Sequence, residues 1–592
     1  MDDQYYTEEI NYLLEMGREF AKHHPQKARM LHLDDVRSRD PNVERLLESF
    51  SFLTSRIRKR LDDDFPQIAD GLLSLMWPGY INPVPSFSLL EFRPASGDVS
   101  DVTTIPKGML IDSEPVRDDV QCRFQTCFDV SVLPLKIGTV TVSSTGSTSV
   151  LRLSFELGKD TDPPSLSDFD ITVQLVGEFF PTWQIYDLLL GRKGNRRRIE
   201  KLEVAGFDED DVSVGSWQLG SDAISPVGMT RDEILLPARN MSLWSFSLLK
   251  EFFTFPEKFQ AFRLSVLKCL ADQTNIRRFE VSMFIDAPWP ANLRLSKEQF
   301  RLNTVPIVNL FARDANPIVL NRLHHHYTVR GDIQYPEYFQ VYSVDAVESL
   351  QVGTNKRTLY NPLYTSRARS SAQSVEDDEN YFTIERRKAS WGGWENYISF
   401  VDSRSRADVA EEEIVSLSLT CTNGRLPSEL LPEQIRFPVS HIDESLIARN
   451  ITHPTAYILP DIEKISLWRW LSHAALNYLS IQSKDQLQAL LNLHDFSNAD
   501  ANKHKIEGIK SIRMSSTRML HKGALIPGLS VTLEVNEENF THLGEIQLFA
   551  NIMSVFISSY ASINSYVQLS VEADPSGHMI VVPPHIGSNF QL

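Results

Sequence analysis

Cysteine is scarce in this chain. Its 592 residues hold four, Cys122, Cys127, Cys269 and Cys421, and they are scattered. A chain of this length buries an ample core without covalent or metal staples, so no disulfide framework is implied. The usage suits a reducing compartment. Long hydrophobic runs are missing as well. No window approaches the ~18 consecutive apolar residues of a membrane-spanning helix. The N-terminus opens with Asp2, Asp3, Glu8 and Glu9, the wrong charge for a secretory leader, and no apolar stretch follows. Positive charge is in deficit: 59 Lys and Arg stand against 77 Asp and Glu, a formal net of −18. That balance repels phosphate backbones and anionic lipid, so neither nucleic acid nor membrane insertion is expected. Disorder is excluded too, because 42% of residues are hydrophobic and 10% aromatic.

The motifs of catalysis are equally thin. There is no Gly-rich phosphate cradle, no G-x-S-x-G elbow, no kinase signature and no H-E-x-x-H. Cys122-x4-Cys127 lacks a second ligand pair, and strand alternation at that odd spacing turns the two thiols to opposite faces. His324, His325 and His326 are consecutive, so they cannot all converge on one ion in a regular element; a surface turn or strand edge is expected. Asp208 to Asp211 form an acidic run without EF-hand spacing, which reads as a solvated loop. Arg192, Lys193 and Arg196 to Arg198, beside Gly191 and Gly194, are the densest basic run and also read as a solvated loop. No catalytic, cofactor-binding or metal site is therefore assigned, and the chain is read as a non-enzyme that needs no cofactor.

What is present is a change of texture along the chain. Val43, Leu46, Leu47, Phe50, Leu53, Ile57 and Leu61 recur at helical spacing behind the start signal Asp40-Pro41. Tyr6, Ile10, Leu13, Leu14 and Ala21 suggest an earlier helix, and Pro66 to Met76 a short third one. Beyond Pro85, short β-branched and aromatic runs alternate with turns, as in Thr139–Val142 and Val150–Phe155, with one helix at Trp244–Phe253. Later come strands at 380–384, 397–401 and 414–421, helical stripes at 465–479, 485–494 and 545–562, and an alternating strand at 567–571. The fold class expected is α+β and multidomain. An N-terminal helical segment (1–85) precedes a β-rich domain (86–240) and a mixed β-rich domain with a helix (241–365). A mobile loop (366–380), a β-rich segment (381–455) and a C-terminal α+β domain (456–592) follow. The central sheets are expected to be antiparallel and sandwich-like. Trp391-Gly392-Gly393-Trp394 is a candidate partner anchor, since glycines mark a loop and tryptophan is favoured in interfaces; the alternative is that both indoles cover a sheet.

Short segments in a fixed order carry a resemblance. They include Gly17-Arg18-Glu19-Phe20-Ala21, Asp40-Pro41-Asn42-Val43-Glu44-Arg45-Leu46-Leu47-Glu48, Leu61-Asp62-Asp63-Asp64-Phe65-Pro66 and Ile105-Pro106-Lys107-Gly108. Further on stand Val305-Pro306-Ile307-Val308-Asn309-Leu310-Phe311, Cys421-Thr422-Asn423-Gly424-Arg425-Leu426-Pro427 and Trp470-Leu471-Ser472-His473. Together they resemble the TssF family, a baseplate component of type VI secretion systems. The resemblance implies a structural role: two copies joined with one TssG as a wedge, contacting TssK, TssE and the VgrG spike, and helping to prime tail tube and sheath assembly. It implies a cytoplasmic protein recruited to an inner-membrane secretion complex of a Gram-negative bacterium. A β-rich carbohydrate-processing or carbohydrate-binding protein is the alternative that composition and sheet texture also allow.

Overall fold

The fold was analysed in a computed structural model. It describes residues 82–587, apart from 95–100, 159–160, 162, 237–243, 274, 321–323, 352–354, 364–379, 403–412, 440–444, 461–482, 522 and 563. Of the first 81 residues it describes Tyr6, Ile10, Leu13, Met16, His23, Arg45, Leu46, residues 48–56, residues 71–73, Trp77 and Gly79. The expected helix at 465–479 and the expected mobile loop at 366–380 lie outside the described residues. The chain divides into two compact units. The smaller comprises Met1–Met76 with Ile462–Ala474; the larger comprises Trp77–Asp461 with Ala475–Leu592. In the smaller unit residues 48–56, here α1, and residues 71–73 are helical.

The larger unit is built on sheets. A six-stranded antiparallel sheet runs in the order Ile435–Pro438, Leu110–Arg117, Val120–Thr126, Thr304–Val308, Phe87–Pro94, Leu446–Asn450. It gathers strands from Phe87 to Asn450, so its neighbours are remote in sequence. Its two edges come back together: Ile435 N donates to Asn450 Oδ1 at 2.8 Å, and Glu433 N to Asn450 O at 2.8 Å. A sheet expected to stack in a sandwich thus curls until its two edge strands meet at Asn450. Phe92, Ile111, Cys122, Phe124 and Ile307 fill the inside.

A second, five-stranded sheet pairs Ser213–Gly220, Ile199–Phe207, Arg278–Ile285, Thr148–Leu157 and Leu135–Thr145 in that order. Period-two burial specifies it: Phe279, Val281, Met283 and Ile285 alternate inward, and Phe279 stacks on its register partner Phe155 at 5.1 Å. A third sheet joins eight strands, among them Gln340–Gln351, Asn380–Lys388, Trp394–Asp402 and Glu413–Thr422, around Val347, Ile398, Leu417 and Cys421.

Two helices, α2 (Phe179–Leu190) and α3 (Trp244–Thr254), pack on the C-terminal part of the chain. That part contains α4 (Lys484–His494), α5 (Asp500–Glu507) and α6 (Leu543–Ser558). α6 is apolar almost all round and nearly every residue is buried, as a central helix should be. Gly544 lets α2 close in, since a β-carbon there would overlap the Trp183 carbonyl. α6 connects strands Ala524–Asn536 and Tyr566–Asp574, which pair in parallel. Arg357–Pro362 and Asn380–Lys388 are also parallel. The expectation of antiparallel pairing in the central sheets is therefore corrected at the second of these pairs.

Candidate interaction surfaces

The motif-based candidates for chemistry resolve first. Cys122 and Cys127 are both buried and free. Cys122 sits in the core of the curled sheet, where burial pushes its thiol up to about 12. Cys127 lies by the buried charges Glu251 and Lys258, and burial raises its thiol as well. Neither is a thiolate poised to react. His324, His325 and His326 are all exposed, just before strand Tyr327–Val329. His326 Nδ1 meets Ser399 Oγ at 2.7 Å while His324 packs edge-on to Tyr327, so the rings do not converge. Among the described residues no cluster of His, Cys, Asp or Glu could hold a metal ion.

Asp208 folds its own loop, accepting from the amides of Asp210 (3.0 Å) and Val212 (2.8 Å). The basic run is not the solvated loop expected of it. Arg192–Lys193 and Arg196–Arg197 form a small ribbon around Gly194. Arg198 pairs with buried Asp187 at 3.1 Å, and Arg197 donates to the carbonyls of Ser221 and Ile224. Carbonyls and a carboxylate within reach absorb charges that the sequence pattern left free.

One buried ion cluster was not foreseen. Glu251 on α3 is fully buried, meets Lys258 Nζ at 2.5 Å and accepts from Leu235 N at 2.8 Å. Neighbouring Lys250 is 2% exposed, donates to Asn82 O at 3.3 Å and lies 4.2 Å from the Phe496 ring centre. Burial lowers its ammonium to about 7. A depressed lysine can be a nucleophile. This one is buried against the Asn82 carbonyl and the Phe496 ring.

The Trp391–Trp394 turn links strands Asn380–Lys388 and Trp394–Asp402. Ala389 N donates to Gly393 O at 2.9 Å, and Gly392 takes φ +85°, a conformation suited to glycine. The Trp391 ring lies across Gly393 and leaves no room for a β-carbon there. Both indoles are half-buried. Trp394 Nε1 is buried and has no acceptor among the described residues. Trp391, Gly392 and Gly393 wall a cavity of about 210 Å³ whose other side includes Arg117, Gln340 and Glu429. Arg117 and Glu429 pair at 2.7 Å. Gln340 Nε2 donates to Glu337 O at 3.1 Å, and its buried Oε1 is unsatisfied among the described residues. The volume is below the ~300 Å³ of a small-molecule site and suits a single inserted side chain.

A second surface lies on α1 and its preceding turn. Leu46, Phe50 and Leu53 are 70%, 54% and 58% exposed, and Phe52 is 56% exposed. Ser51 and Ser55 of the same helix are buried. Among its described residues the helix turns Phe50, Phe52 and Leu53 outward and Ser51 and Ser55 inward. The sequence showed the stripe but not its direction.

Ion pairs that close internally, thiols kept protonated by burial and apolar side chains turned outward fit a subunit of a multi-protein assembly. The comparisons with known proteins specify which. Residues 3–589 match the family described as "Type VI secretion system, TssF", and the chain belongs to that family of baseplate components. A Pseudomonas aeruginosa relative, type VI secretion system component TssF1, is 24% identical over 618 aligned positions, covering 98% of this chain and 97% of that one. A chain solved by cryo-electron microscopy within a type VI secretion TssK-TssF-TssG baseplate subcomplex superimposes with TM-score 0.77 at 26% identity. That match covers 93% of this chain and 99% of the other. A chain of a type VI secretion baseplate complex shares the fold over its full length, with TM-score 0.63 at 23% identity. Among the described residues no helix is long and apolar enough to cross a membrane.

Proposed function

We propose that this chain is a wedge subunit of a type VI secretion baseplate, acting through interfaces and not through a reaction. Two copies join one TssG; TssK, TssE and the VgrG spike contact the resulting unit, which primes tube and sheath polymerisation. The protein works on the cytoplasmic side and is recruited to the inner-membrane complex. The observation that carries this reading is the match over 93% of the chain to a protein solved together with TssK and TssG. The surfaces agree with it in kind. An outward apolar stripe at Leu46, Phe50 and Leu53 needs cover, and a helix from a partner supplies it. The cavity beside Trp391, with Trp394 supporting its turn, receives one side chain of a neighbouring subunit. Co-expression with a TssG, followed by native mass measurement, tests the proposal. A complex of two of these chains and one TssG is expected. A monomer that ignores TssG overturns it.

A further inference from the structure

The C-terminal sheet holds a feature that the assembly reading does not by itself require. Strands Ile509–His521 and Ala524–Asn536 form a long hairpin, in register from Met514 opposite Val531 out to His521 opposite Ala524. Support from the rest of the sheet is partial. Strand Tyr566–Asp574 pairs with the second arm only from Gly528 to Asn536. Residues 518–521 and 524–527 therefore stand past their last neighbouring strand. The first arm is an edge of the sheet throughout.

One face of the hairpin begins as core. Leu533 and Val531 are fully buried, in a layer with Val567, Leu569 and Val571. The same face continues, at period two, through half-buried Leu529 and exposed Pro527 to Leu525, which is 61% exposed. Directly across from Leu525 is Leu520, 71% exposed. The core stripe thus runs out beyond its cover and ends in a cross-strand leucine pair in solvent. The other face is anchored at the root of the overhang. Tyr566 covers Gly528, where a β-carbon would overlap its ring, and its hydroxyl lies 3.3 Å from Thr517 Oγ1.

Charge on the arm has one sign. From Lys510 to Leu533 the chain has Lys510, Arg513, Arg518 and Lys522 and no Asp or Glu, in a protein of net −18. Lys510 pairs with Asp574 and Arg513 with Glu572, at the base. Arg518 is exposed on the leucine face and meets no carboxylate among the described residues. Two arms placed edge to edge would bring like charges together, which disfavours self-pairing.

We propose that this tip is a docking arm: it seats Leu520 and Leu525 in an apolar groove with a carboxylate rim on a different subunit of the assembly, and Arg518 meets that rim. The inference rests on the wedge reading. The paired arms carry both leucines on one face, and the charge speeds encounter.

The test uses the full chain co-expressed with TssG and TssK. Benzophenone photo-cross-linking from position 525 is expected to join the arm to another subunit, at a site with apolar and acidic residues. Leu520→Asp with Leu525→Asp should cut recovery of the complex about tenfold, as loss of a central anchor does. Thermal unfolding of the isolated chain should be unchanged, because both side chains are already in solvent. Arg518→Glu should slow association at low salt and matter less at high salt. Adducts confined to this chain, to a second copy of it or to lipid overturn the inference, as do Asp variants that assemble like the parent. If the parent complex itself does not form, the wedge reading falls and the arm's partner with it. If the parent forms and the variants match it, only the arm inference falls.

Discussion

Two regions of this protein reverse the usual placement of side chains, in opposite directions. At α3, Lys250, Glu251 and Lys258 lie inside. On α1 and just before it, Phe50, Leu53 and Leu46 lie outside. Inside, the chain compensates itself: Glu251 receives Lys258 and the Leu235 amide, so the buried charge has partners. Outside, no described residue covers the leucine and phenylalanine face. The difference separates a feature completed by folding from one completed by assembly. An ion needs partners within ~4 Å, which one chain can supply. An apolar stripe needs a broad matching surface, which one chain cannot always spare.

The largest effect expected from testing that contrast is inside. Glu251→Ala leaves the Lys258 ammonium buried without its carboxylate and should cost about 3–5 kcal/mol, read from urea unfolding of the isolated chain. A loss below ~1 kcal/mol would mean that water reaches the site and that the region is not closed. Next comes the outside. Phe50→Ser with Leu53→Ser should leave the isolated chain within about 0.5 kcal/mol of the parent, because neither side chain is buried. The same pair should weaken the complex with TssG by more than ~2 kcal/mol. Equal loss in both measurements would place these residues in the folding core instead.

Lys250 gives a pH signature. Burial holds it at about 7 against an ordinary value of 10.5. Between those values the unfolded chain keeps a proton that the folded chain releases, so this group makes stability rise with pH across that window. Lys250→Met should flatten the rise, measured as unfolding midpoint against pH. An unchanged slope would show that the ammonium is solvated. The smallest effect is expected at Trp391→Ala. It uncovers Gly393 and should cost about 1 kcal/mol of stability, while removing one wall of the cavity. Complex formation unaffected by this change would remove the cavity from the interface.

Much was readable in the sequence by itself. Scarce cysteine, negative charge and missing motifs argued against reaction and nucleic-acid chemistry. Helical spacing located α3, α4 and α6 to within a few residues, because those helices bury a face or more and so carry periodic apolar residues. Short β-branched and aromatic runs placed strands at 139–142, 150–155, 380–384, 397–401 and 414–421, each inside a longer strand of the structure. Short ordered segments along the chain pointed to the family. The tertiary structure alone decided the rest. Sheet order joins Phe87 to Asn450, and no local pattern encodes pairing over such a distance. Arg197 and Arg198 of the basic run looked free until two carbonyls and Asp187 closed around them. The direction of the α1 stripe and the overrun of the core stripe at Leu520 and Leu525 are also invisible in periodicity. A helix or hairpin pattern states which residues share a face; only packing states whether that face is covered.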